Sequence, residues 1–216
     1  DPEALAAKQE TWEWDGQIVG AMLKQAFGDN PPLMAVDAGG CLPFFTGFPS
    51  IDMLGLNDKY LAEHPPAAFG SGFIGHELGD GAYVFSRKPD LIITCTPTGK
   101  SYGCFKSGKE LLQQPGFAQS YHMVTIHIDQ PKTMDVITWM QLRGGPVGIG
   151  NEKESMIIPV WHIVSEVSIT PSGKLGVKLE PNHSLLLPKF ALPFGLFRLI
   201  ANTEKGSANI TVNDSK

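Results

Sequence analysis

Asp52, Asn57 and Asp58 fall within one loop-to-helix passage, and His76, Glu77 and Asp80 follow in the segment G-H-E-L-G-D-G. Asp37 stands just after the apolar run Leu33–Val36 and before Gly39-Gly40-Cys41. Oxygen ligands clustered in this way suit a hard divalent cation. Their spacing matches no established metal motif, so no metal and no cofactor is assigned. Capping of helices and turns is the competing use of the same side chains. Asp37 is a candidate ligand contact, because ligands of open α/β sheets bind outside the carboxyl ends of strands. It is equally a candidate cap of its own turn.

Several chemistries are excluded. Neither G-x-G-x-x-G nor G-x-x-x-x-G-K-[ST] is present. T-P-T-G-K-S ends like a phosphate loop, but position 94, where the first glycine belongs, is Thr94. There is no G-x-S-x-G elbow and no C-x-x-C pair. His122 and His127 are five apart, so a regular strand turns them to opposite faces. No catalytic residue is assigned. Trp139 and Trp161 have flat faces that suit sugar rings, although core packing is the commoner use of tryptophan.

The elements that must position these groups are readable in outline. Trp12, Val19, Met22, Leu23 and Ala26 recur at helical spacing, which predicts a helix from Pro2 to Phe27 stopped by G-D-N-P-P. Leu33–Val36 and Leu91–Cys95 read as buried strands. Asn57 is the expected N-cap of a short helix over Asp58–Glu63. Gly81–Arg87 reads as a helical turn or a strand. The second half changes character: Tyr121–Asp129, Met134–Leu142, Met156–Ile169, Leu175–Leu179, Ser184–Leu187 and residues 207–212 are strand candidates. P-S-G-K at 171–174 is a hairpin signal. The fold class expected is α/β followed by mainly β: a small α/β layer over 1–115, then a β-sandwich-like second half over 116–216, a candidate carbohydrate-binding module.

The 216 residues carry 17 Lys and Arg against 22 Asp and Glu, a net charge of -5. A mean hydropathy of -0.04 is that of an ordinary globular chain. No basic cluster marks a nucleic-acid partner, and no apolar run reaches the ~18 residues of a membrane span. Three cysteines leave at least one unpaired. Cys95 and Cys104 flank a short loop and can either close a disulfide or stay as thiols.

A resemblance rests on G-x-x-P-F-F-x-G-x-P-x-I-D-x-L-G-L-N-D, then G-H-x-x-G-D-G-x-Y-V and R-x-P-D-L-I. These segments resemble the extracytoplasmic C-terminal region of bacterial polyprenyl-phosphate-sugar-dependent membrane glycosyltransferases, such as the mycobacterial arabinofuranosyltransferases that cap cell-wall arabinan. The likeness fades after Thr98, and Cys41 and Glu77-Leu78 have no counterpart in it.

It implies a periplasmic domain tethered by an upstream membrane region of the same polypeptide. That domain would bind acceptor glycan for a transfer whose catalytic acid lies on the membrane part. Asp52, Asn57, Asp58, His76 and Asp80 would shape the acceptor side or lock the two halves together. The alternative is a free-standing extracytoplasmic protein that binds carbohydrate or another small ligand through the Asp37–Asp80 loops.

Overall fold

The computed structural model describes residues 12–72, 74–152, 155–170 and 172–177. Helix α1 (Trp12–Phe27) buries Val19, Met22, Leu23 and Phe27 as one stripe. It closes where the Gly28 N–H donates to the Lys24 carbonyl at 2.8 Å, and Pro31-Pro32 cannot continue it. The expected start at Pro2 lies outside the described residues.

Strands β1 (Met34–Val36), β2 (Ser50–Asp52) and β3 (Leu91–Ile93) run parallel, with β1 between the other two. Every residue of β1 and β3 is buried, as a sheet covered on both faces demands. Alternate side chains serve opposite faces. Met34, Val36, Leu91 and Ile93 meet α1 and Leu42 of α2 (Cys41–Thr46). Ala35, Ile51 and Ile92 meet Val84 of α4 (Gly81–Ser86) and Leu111 of α5 (Lys106–Leu112).

Two local expectations are settled by hydrogen bonds. The cap of α3 (Lys59–Glu63) is Asp58, not Asn57: the Asp58 carboxylate accepts from the Leu61 N–H at 3.1 Å. Asn57 is already committed, since its backbone and side-chain amides both donate to Asp52. Gly81–Ser86 is helical because Asp80 accepts from the Tyr83 N–H at 2.9 Å.

Past β3 the chain turns through α6 (Phe117–Ser120) into a long hairpin, β4 (Tyr121–Ile128) and β5 (Met134–Gln141). β5 pairs antiparallel with β3, setting Leu91 opposite Met140 and Ile92 opposite Trp139. β4 takes β8 (Glu166–Ile169) in parallel, and β8 pairs with β9 (Leu175–Gly176) across the expected hairpin. The protein is therefore mixed α/β, and its described residues form a seven-stranded sheet ordered β2-β1-β3-β5-β4-β8-β9.

Among the described residues, the β-rich second half extends the first sheet edge to edge and packs no sandwich layer on it, because β5 finds the open edge of β3. β6 (Gly150–Glu152) and β7 (Ser155–Ile157) form a separate ribbon. The span expected as one strand over 156–169 is interrupted after Pro159 by a 3-10 turn, Val160–His162. The expected strands at 184–187 and 207–212 lie outside the described residues.

Candidate functional site

β1 has β2 on one side and β3 on the other, so the carboxyl ends of three parallel strands come together at one end of the sheet, where ligands of open α/β sheets bind. Asp37 follows β1 directly and is 2% exposed. Its Oδ2 accepts the Cys95 N–H at 2.6 Å, bridging the exits of β1 and β3. Its Oδ1 is buried and, among the described residues, has no hydrogen-bond partner. Burial pushes this carboxyl up to about 6, and the neighbouring Asp52 charge adds to the rise. The Cys95 N–H and His76 act in the opposite sense.

Asp52 closes β2 and is also buried. Its Oδ1 accepts from the Leu54 N–H at 3.0 Å. Its Oδ2 accepts from the Asn57 backbone N–H at 2.9 Å and from Asn57 Nδ2 at 3.2 Å. Gly39 packs against this carboxylate so closely that a Cβ there would sit 2.6 Å from Asp52 Cγ. The glycine is what lets the β1 turn pass. Above Asp52 opens a cleft of about 520 Å³ lined by Gly39, Gly40, Pro43, Phe44, Phe48, Ser50, Asp52 and Asn57. Phe44 stands 80% exposed at its edge, with Phe45 meeting it edge-on at 5.1 Å.

The exit of β3 is braced. Cys95 holds a positive φ of 67° and is disulfide-bonded to Cys104. The Thr94 hydroxyl reaches the carbonyls of Lys100 at 2.9 Å and Tyr102 at 2.8 Å. The Ile137 N–H donates to the Thr98 carbonyl at 2.8 Å, pinning the loop to β5.

Of the residues singled out from the sequence, Asp37, Asp52 and Asn57 come together, with His76 acting on Asp37 through charge. The His76 ring lies 4.7 Å from Phe105, and its Nδ1 is 3.2 Å from the Ile74 carbonyl. Asp58 and Asp80 converge elsewhere, on Tyr83. Each caps a helix, and Asp58 also accepts from the Tyr83 hydroxyl at 3.1 Å. Tyr83 stacks on Tyr60 at 4.1 Å, and Arg87, 5.6 Å from the Tyr83 ring centre, donates to its hydroxyl at 2.6 Å. The pair locks α3 to α4.

Trp139 and Trp161 pack against opposite faces of the sheet, away from the cleft. Trp139 meets Phe117 edge-on at 5.2 Å. Trp161 Nε1 donates to the Val147 carbonyl at 2.8 Å. Phe44 was not singled out from the sequence; its signal was the Pro-Phe-Phe run beside two glycines. Among the described residues no group of three or more His, Cys, Asp or Glu is placed to hold a metal ion.

Residues 5–144 match a domain of unknown function, DUF8728. The chain belongs to the DUF8728 family. The matched span takes in β1 to β5 and every loop that builds the cleft, and it stops before the β6–β7 ribbon. No curated protein and no solved structure matches the chain. The cleft of this DUF8728 domain is thus made by the family segment alone.

Proposed function

We propose that this domain is the extracytoplasmic part of a membrane glycosyltransferase and that it binds acceptor glycan, holding it for sugar transfer from a polyprenyl-phosphate donor during cell-envelope synthesis. The observation that carries the reading is the cleft at the carboxyl ends of β1 and β2. There the Asp52–Asn57 pair lies beside an exposed aromatic face, that of Phe44. Hydroxyl-rich rings need both, polar groups for their edges and a flat apolar surface for their C–H faces. The resemblance of the G-x-x-P-F-F to L-G-L-N-D segment to such enzymes supports the same reading, because that segment builds the cleft.

The domain's work is then positioning, which raises the effective concentration of acceptor at a reaction centre carried by another part of the polypeptide. The 216-residue chain on its own is expected to transfer no sugar. Incubation with a polyprenyl-phosphate sugar and an acceptor glycan checks this, and turnover by the chain alone would contradict it.

Reading the coding sequence upstream of Asp1 tests the whole assignment. Several apolar spans of ~20 residues would place a membrane part before this domain. A lone cleavable signal peptide would overturn the proposal in favour of a free-standing binding protein.

A further inference from the structure

We infer that the cleft takes an uncharged saccharide and rejects phosphorylated ligands, with Phe44 as the platform for a ring face and Asp52 and Asn57 as the readers of its hydroxyls. The inference rests on the glycan-binding reading above and narrows its ligand class.

Among the described residues, those lining the cleft include an acid, an amide, a hydroxyl and aromatic rings, but neither Lys nor Arg. Asp52 has about four acceptor positions on its two oxygens. Three are filled by the Leu54 and Asn57 amides, which leaves room for one hydroxyl donor. The Ser50 hydroxyl donates to the Phe48 carbonyl at 3.0 Å and keeps its lone pairs for a ligand.

Behind Asp52 lies Asp37, buried, with Oδ1 unpartnered among the described residues and with the Asp52 charge acting on it. A phosphate brings roughly one and a half to two further negative charges to a lining that offers no cation among the described residues. Phe44, 80% exposed, covers no core and is free to stack.

The test is an amide NMR titration of the 216-residue chain at pH 7.5. The probes are methyl glycosides of neutral pentoses and hexoses, the matching sugar 1-phosphates, and inorganic phosphate. At least one neutral glycoside is expected to shift Gly39, Gly40 and Asn57, with its 1-phosphate and inorganic phosphate weaker by at least about ten-fold. Phe44→Ala, whose side chain is exposed and leaves the fold intact, is expected to weaken that glycoside about five-fold.

Equal or tighter binding of a phosphorylated probe overturns the inference. So do shifts outside the cleft, the absence of shifts with every neutral glycoside, and a Phe44→Ala variant that binds unchanged. Failure of the membrane-enzyme reading is recorded separately, by the hydropathy upstream of Asp1. Phosphate preference together with upstream spans sinks this inference alone. Neutral-sugar binding without spans sinks only the membrane assignment.

Discussion

Asp37 sets a measurable pH dependence. Its carboxyl moves from an ordinary 3.8 to about 6 on folding, chiefly through burial. The folded state therefore holds a proton that the unfolded chain has released between these values, so the Asp37 contribution to stability is greatest below about pH 4 and is lost as pH rises through about 6. The loss amounts to something on the order of 3 kcal/mol at neutral pH. Asp37→Asn keeps an oxygen for the Cys95 N–H and removes the titration. Urea unfolding from pH 4 to 7.5 should show this component flattened and the variant more stable than the parent at pH 7.5. An unchanged slope would mean that Asp37 does not carry it. At this scale the sequence was informative where an acid directly follows a short apolar strand, as Asp37 does. It was less so at Asn57 and Asp58, both good caps by residue type. Which of them caps α3 was decided by Asp52, a tertiary partner invisible to local reading.

At the scale of the element, the exit loop of β3 is the part that holds Asp37 in place. Cys95 supplies the N–H and Cys104 ties it back across a sequence separation of nine. Closing so short a loop restricts the unfolded chain by about 2–3 kcal/mol. Replacing both cysteines with alanine is expected to lower stability by about that amount. The loop should nevertheless stay docked, because Thr94 and the Thr98–Ile137 bond hold it independently. Chemical denaturation gives the first quantity. Hydrogen exchange at the Ile137 amide gives the second, and rapid exchange there would show that the disulfide alone had ordered the loop. The pairing was legible as an option, since two cysteines flank a turn-rich stretch. Whether it forms depends on the positive φ at Cys95 and on packing against β5, which spacing does not encode. The strands β1, β3, β4 and β5 were legible for the opposite reason: buried apolar runs and alternation are themselves the pattern.

At the scale of the molecule, the change of sequence character near residue 115 marks a transition within one sheet. Ahead of it are three-residue parallel strands buried on both faces. After it come eight-residue antiparallel strands with alternating burial. Both textures belong to the same layer, because β5 lies beside β3. The join is well bonded: Thr138 Oγ1 donates to the Ile92 carbonyl at 3.1 Å, the Gln141 N–H to the Asp90 carbonyl at 2.9 Å, and the Tyr121 hydroxyl to the Pro89 carbonyl at 3.0 Å. A chain ending at residue 115 would expose Ile92 and Leu91, both fully buried here, along an unpaired edge. It would also lose Phe117, Tyr121 and Trp139 from the cluster over α4 and α5. Residues 1–115 alone are therefore expected not to unfold cooperatively, and their near-ultraviolet circular dichroism should lack the fixed aromatic signal of the 216-residue chain. A sharp denaturation transition in that fragment would instead make it a self-sufficient unit. The cleft would then need nothing from β4 or β5. If the fragment fails to fold, the loops that build the cleft depend on strands that contribute no residue to it, through the edge where β5 meets β3.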